Sequence, residues 1–232
     1  MTMTTAARQV LRLARCGKND PGRPLGLRTG DVLIAVAGQP WHGSPEALRA
    51  RLGKEGTLLV TFLRDDTVMS VLTDQADLGR WERIAPPSAL PSLPQPDARL
   101  CNWQIMRRHD GEHDLFALRP QMLALLVPPL WLAQERLYTW LAALGSALAL
   151  ALPGGWLLMA LVWVAAGLHL WRQGPAHMRA ARLAAGYLPV AVLAGRSASE
   201  ARAAWEALSP GARFRFDSMR PASGAVTEQP AA

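Results

Sequence analysis

The densest run of chemically competent side chains is His109-Asp110-Gly111-Glu112-His113-Asp114. Two imidazoles and three carboxylates are the ligand types of a divalent-metal site. Such a site needs its ligands to converge. The Asp-Gly pair marks a tight hairpin turn, which splays neighbouring side chains into water. The run therefore reads as a solvated turn, and no metal ligands are assigned. Ser197, in Gly195-Arg-Ser-Ala-Ser199, lacks the second glycine of a nucleophile elbow. It fits better as the cap of a helix, with Glu200 three residues on. Neither Gly17-Lys18 nor Gly53-Lys54 has a glycine five residues ahead, so no phosphate-binding loop is present. Cys16 and Cys101 stand far apart, outside any Cys-x-x-Cys arrangement, and read as free thiols. His169, with Trp163 nearby, lies in an apolar run where a proton or ligand path is one reading. A histidine snorkelling toward headgroups is the simpler one. No catalytic residue and no cofactor are expected, and the chain reads as a non-enzyme.

The elements that would position these residues fall into unlike parts. The 232 residues are 50% hydrophobic and 19% charged, with a net charge of +7 and a mean hydropathy of +0.07. This excludes a collagen-like, disulfide-dense or wholly disordered chain. Basic residues are scattered singly among acids rather than interleaved with exposed aromatics, so no nucleic-acid partner is expected. The N-terminus lacks a continuous apolar core and does not read as a cleavable signal peptide. Residues 1–24 read as an N-terminal segment in which Val10–Cys16 can supply one strand. Residues 25–75 read as a small α/β unit. Asp31–Ala37 forms a strand, a helix capped by Ser44 runs over Pro45–Leu52, and Thr57–Arg64 and Thr67–Thr73 pair around Asp65-Asp66. Residues 76–100, with Pro86, Pro87, Pro91, Pro94 and Pro96, read as a Pro-rich linker.

Residues 101–118 form a second short hairpin, and 119–136, interrupted at Pro128-Pro129, an interfacial or re-entrant helix. Leu137–Trp171 then runs 35 residues without Asp, Glu, Lys or Arg, broken by Pro153-Gly154-Gly155. One span needs about 20 apolar residues, so the run predicts a transmembrane helical hairpin with two short arms. Trp140, Trp156 and Trp171, with Arg136 and Arg172, are its expected interface anchors. Ala142, Gly145, Ser146 and Ala149 are expected to let the arms approach closely. Arginines flank the run on both sides and none lies in its turn, which places both termini in the cytoplasm. Residues 172–208 read as cytoplasmic helices and 209–232 as a disordered tail.

Leu25-Gly-Leu-Arg-Thr-Gly-Asp-Val-Leu-Ile-Ala-Val-Ala-Gly38, with the following helix and the strand ending in Phe-Leu-Arg64, resembles the second half of a PDZ domain, truncated at its N-terminus. The resemblance implies that a bound peptide adds a strand beside the helix, with Pro45 and Arg49 lining the groove. Residues 101–208 resemble the bacterial membrane family known as domain of unknown function 2628. The likeness rests on the hairpin Trp103–Leu118, Pro-Leu-Trp131, the apolar hairpin, Arg179, Arg182, Gly186-Tyr187 and Ala194, Ser197 and Ala201. It implies an integral membrane protein and supplies no activity. The expected fold is thus multi-domain, a PDZ-like α/β unit tethered to an α-helical membrane domain in the bacterial inner membrane. The expected partners are the lipid bilayer and a protein or peptide held by the PDZ-like unit, whose identity and whose effect on oligomeric state the sequence leaves open. The expected function is a membrane-anchored interaction module. The alternatives are a substrate-presenting subunit of a membrane protease and a small transport-associated component.

Overall fold

The structure, a computed structural model, describes residues 9–87 and 91–215. Its first half is a six-stranded antiparallel sheet built from β1 (Val10–Arg15), β2 (Val32–Val36), β3 (Gln39–Pro40), β4 (Leu58–Arg64), β5 (Thr67–Thr73) and β6 (Arg80–Ile84), with helix α1 (Pro45–Glu55) between β3 and β4. The order is β5-β4-β2-β1-β6, and β3 pairs with β2. The Ser44 hydroxyl accepts the Ala47 N–H and starts α1, as its sequence predicts. Asp65 and Asp66 take positive φ at the β4–β5 turn, the geometry a two-residue hairpin loop demands.

The expected linker needs correcting at its N-terminal end. Residues 80–84 form β6, which pairs along β1 from Val10 to Arg15. Leu78 is completely buried, and the Trp81 ring stacks parallel to Phe62. The prolines begin only at Pro86, and the five residues of β6 carry none.

The second half holds, in chain order, β7 (Cys101–Arg108), β8 (Glu112–Ala117), α2 (Met122–Leu126), α3 (Pro128–Gln134), α4 (Tyr138–Ala151), a 3-10 turn at Leu152–Gly154, α5 (Gly155–Ala184), β9 (Tyr187–Gly195), α6 (Ala198–Leu208) and β10 (Arg213–Phe214). The strands form a sheet in the order β10-β8-β7-β9. The β7–β8 hairpin is as expected, with its turn at Asp110-Gly111. The helices expected across 172–208 are present up to Ala184 and over Ala198–Leu208, but the stretch between them is corrected, because Tyr187–Gly195 is a strand paired along all of β7. Tyr187, Val190 and Val192 between two glycines are strand-forming residues. The tail expected from 209 includes β10, which lies parallel to β8; residues 216–232 lie outside the described residues.

The two sheets share one core. Leu11, Leu33, Phe62 and Val71 of the first pack in the same cluster as Ile105, Val192 and Trp205 of the second half. The Asn102 side chain accepts the Leu72 N–H at 2.9 Å and donates to its carbonyl at 2.7 Å, satisfying backbone groups on the outer edge of β5. Val192 donates its N–H to the Leu25 carbonyl at 3.0 Å. Beside it, Gly26 has a φ of +83°, and a Cβ there would lie 2.5 Å from Ala191 Cα. Only glycine permits both that conformation and that approach.

The helical segment Tyr138–Ala184 is long and apolar enough to cross a membrane, with a mean hydropathy of 2.0 over its most apolar window and only 6% of that window buried. Leu150, Trp156, Leu157, Leu161 and Val164 are all exposed on it. The small residues expected to bring the arms together do not do so. Ala142, Gly145, Ser146 and Ala149 are all exposed, and nothing approaches the position of a Gly145 Cβ. Close approach occurs on α5 instead. Gly167 lies under the Leu125 carbonyl of α2, and Gly174 under the Trp131 ring of α3. The residues 119–136 thus hold two short helices laid against α5, broken at Val127 ahead of Pro128-Pro129.

Candidate functional site

The expected peptide groove is bounded by α1, where Pro45 is the first helical residue and Arg49 lies one turn on. Arg49 is tied to Asp77 at 2.7 Å, just ahead of β6. Hydrogen bonds to Ser44 and the backbone hold the Glu46 carboxyl low, and the charges of Arg49 and then Arg83 add to this. β1 is flanked by β2 on one side and β6 on the other. The edge of β1 that β2 leaves open is therefore covered by the chain's own β6.

The run His109–Asp114 divides. His109 and Asp110 are exposed at the turn, but His113 and Asp114 are both only 4% exposed, which corrects their reading as solvated turn residues. They belong to β8, where pairing with β7 on one side and β10 on the other carries them inside. Among the described residues, no three His, Cys, Asp or Glu side chains are grouped as a metal would need. The Glu112 carboxylate instead accepts the Tyr187 hydroxyl at 2.6 Å. Burial, then that hydrogen bond and the negative charge, push the Tyr187 phenol up to about 12.

Asp114 centres a charge network joining the sheet to the helices. Its Oδ1 accepts the Leu115 N–H at 2.9 Å. Its Oδ2 lies 2.6 Å from Arg182 Nε of α5 and 3.8 Å from Arg215. The Arg182 contact is an ion pair rather than an aligned hydrogen bond, since neither atom has a partner of hydrogen-bond geometry. Arg182 also reaches Glu135, the residue after α3, at 3.8 Å. Burial pushes the Glu135 carboxyl up, with Arg182 drawing it back down and Asp114 adding to the rise. Two carboxylates and two guanidiniums from four segments balance in this small volume.

His113 faces the Trp205 and Phe214 rings at 5.7 and 5.8 Å. It lines a cleft of about 470 Å³ with Trp103, Asp114, Arg202 and Phe214, the Arg202 guanidinium lying 4.5 Å over the Phe214 ring. The His113 Nδ1 is buried without a hydrogen-bond partner among the described residues. Burial, chiefly, lowers the His113 pKa from its ordinary 6.5. Below about pH 6.5 the unfolded chain then binds a proton that the native chain refuses, so stability falls as pH falls. The melting temperature is expected to drop between about pH 7 and about pH 5.5, and His113→Phe to flatten that slope. An unchanged slope in the variant would remove His113 as the cause.

Of the expected anchors, Trp156 is fully out at the Leu152–Gly154 turn, 75% exposed. Arg136 connects α3 to α4 with a φ of +58°, and Arg172 is exposed while Trp171 is half-buried. Trp140 packs 4.1 Å from His177 and 6.1 Å from His169. His169 does not stand alone near the surface, as its Nε2 lies 3.0 Å from that of His177. Spacing gave no sign of this pair, because eight helical residues rotate about 80° beyond two turns. The Asp114–Arg182 pair was equally silent, its members being joined by no motif.

Both thiols are unpaired, Cys101 buried and Cys16 half-buried, and burial raises the pKa of each. Neither has the character of a reactive thiolate. Comparison with protein-family models, curated proteins and solved structures finds no match for this chain.

Proposed function

We propose that the chain is a membrane-anchored protein-interaction module without catalytic activity of its own. The observation carrying this reading is the exposed apolar helical surface from Tyr138 to Ala184, attached to a folded body of two sheets. Such a surface is costly in water and stable in hydrocarbon. In this reading α4 and α5 cross as a helical hairpin, Trp156 sits at the far interface, and Arg136 and Arg172 at the cytoplasmic one. Contact of Trp140 with His169 and His177 supports the fold-back. Both sheets, and both termini, then face the cytoplasm of a bacterial cell, at the inner membrane.

The PDZ-like resemblance suggests peptide capture by strand addition beside α1. Because β6 already covers the edge of β1, a partner strand in this reading exchanges with β6, one set of ladder hydrogen bonds for another. A high-pH carbonate wash of membranes is expected to leave the full chain in the pellet, and a phosphatase fused to the C-terminus to be inactive. Release into the wash or an active fusion would overturn the anchoring or its topology. A photocrosslinker at position 80 is expected to capture a protein partner from intact membranes, and capture to rise when Trp81→Ala loosens β6. Crosslinks only within the chain, in both forms, would overturn the capture role.

A further inference from the structure

A second cleft, of about 580 Å³, opens where the loop between β1 and β2, the β7–β8 turn, the start of β9 and the last part of α5 meet. Lys18, Arg23 and Arg28 enter it from the loop between β1 and β2, Arg107 and Arg108 from the end of β7, and Arg179 from α5. Among the described residues no carboxylate lines it. Of the six cations only Arg108 has acidic partners, Asp110 at 3.7 Å and Glu112 at 4.0 Å. Among the described residues the other five form no ion pair. Like charges gathered in one concavity repel one another and focus a positive potential that an anion relieves.

We propose that this cleft binds the phosphate of an anionic phospholipid headgroup. Guanidinium forks match phosphate oxygens in pairs, and the cavity is of small-molecule size. Two features favour a lipid over a free phosphate. Arg179 lies on the helix that carries the apolar run, eight residues and about 12 Å past Trp171, near headgroup level. The rim also carries Leu188, Pro189 and Val190, of which Leu188 is 67% exposed, an apolar lip beside the charges that suits an amphiphile. Among the described residues no aromatic ring other than His109 lines the cleft, so these offer no platform on which nucleic-acid bases would stack.

The choice of lipid over free phosphate rests on the membrane-crossing reading above, and the test separates the two. Detergent-purified full chain is titrated with short-chain phosphatidylglycerol, short-chain phosphatidylcholine and inorganic phosphate. Phosphatidylglycerol is expected to bind and the other two not, within the same concentration range. Each removed cation weakens such binding about fivefold, so R28Q/R107Q/R179Q is expected to lose about 100-fold. The control R51Q/R83Q/R196Q removes the same charge outside the cleft and is expected to keep its affinity. Equal binding of the two lipids, or equal loss in both triple variants, would overturn the site. Phosphate binding as tightly as phosphatidylglycerol would overturn the lipid assignment. Release by carbonate with phosphatidylglycerol binding intact would overturn the span and leave the site standing.

Discussion

Asp31→Ala is expected to destabilise the chain by about 3–5 kcal/mol, the usual consequence of stripping one partner from a buried ion pair. The Asp31 side chain is 2% exposed and that of Arg64 10%. Arg64 Nε donates to Asp31 Oδ1 at 2.8 Å and Arg64 Nη2 to Oδ2 at 2.6 Å. Oδ2 also accepts the Arg28 N–H at 2.8 Å, while Arg64 Nη2 donates to the Gly26 carbonyl at 2.8 Å. One carboxylate thereby fixes the end of β4, the entry to β2 and the loop that touches β9. Removing it leaves a guanidinium buried with a single carbonyl. Arg64→Met alone should cost a similar amount, but Asp31→Ala with Arg64→Met should cost less than the sum, since no lone charge is left behind. Denaturant unfolding of the four forms in detergent measures this. A single-variant loss below about 1 kcal/mol would mean that water solvates the pair.

Arg182→Met should lower stability by about 3–5 kcal/mol, and the damage should be local to one joint. Asp114 would keep only the Leu115 N–H and the more distant Arg215, and Glu135 would lose the charge that holds its carboxyl down. Because Arg182 is the α5 member of the network, the variant should loosen the helices from β8 while leaving the first sheet intact. Hydrogen exchange read segment by segment tests both parts. Faster exchange across β8 and the end of α5, with β2 and β4 unchanged, is expected. Uniform acceleration over both sheets would instead mean that the network supports the whole core.

Local structure was legible wherever short-range chemistry decides it. Ser44 with Pro45 announced α1, Asp65-Asp66 and Asp110-Gly111 announced two turns, and Ser197 announced α6 by accepting the Glu200 N–H at 3.3 Å. The second half of that capping box differs, with the Glu200 carboxylate accepting the N–H of Arg196, one residue early. β6 and β9 were missed because each depends on a distant strand. Arg80–Ile84 is strand only because β1 offers an open edge, and Tyr187–Gly195 only because β7 does. A proline cluster on one side and a basic helix on the other outweighed their own weak preferences.

The chemistry followed the same division. The run His109–Asp114 was visible as a concentration of ligand types, and its turn was read correctly, yet the burial of His113 and Asp114 was not. Which residues of β8 are covered depends on α6, β10 and Arg182, contributed from about 70 to 100 residues downstream. The six cations of the basic cleft were likewise counted in the net charge but not seen as neighbours.

What the sequence determined by itself is the chain's division into a polar, strand-rich part and a charge-free apolar helical stretch, because periodicity, capping and the absence of charge act within a few residues. Only the tertiary structure decided that the two sheets share one core, that β6 takes the edge of β1, that α5 packs through Gly167 and Gly174 rather than against small residues of α4, and that scattered arginines converge on one cleft. Those outcomes turn on which surfaces meet across long stretches of chain, where loop closure is inexpensive and the gain comes from burial and charge pairing that no local pattern records.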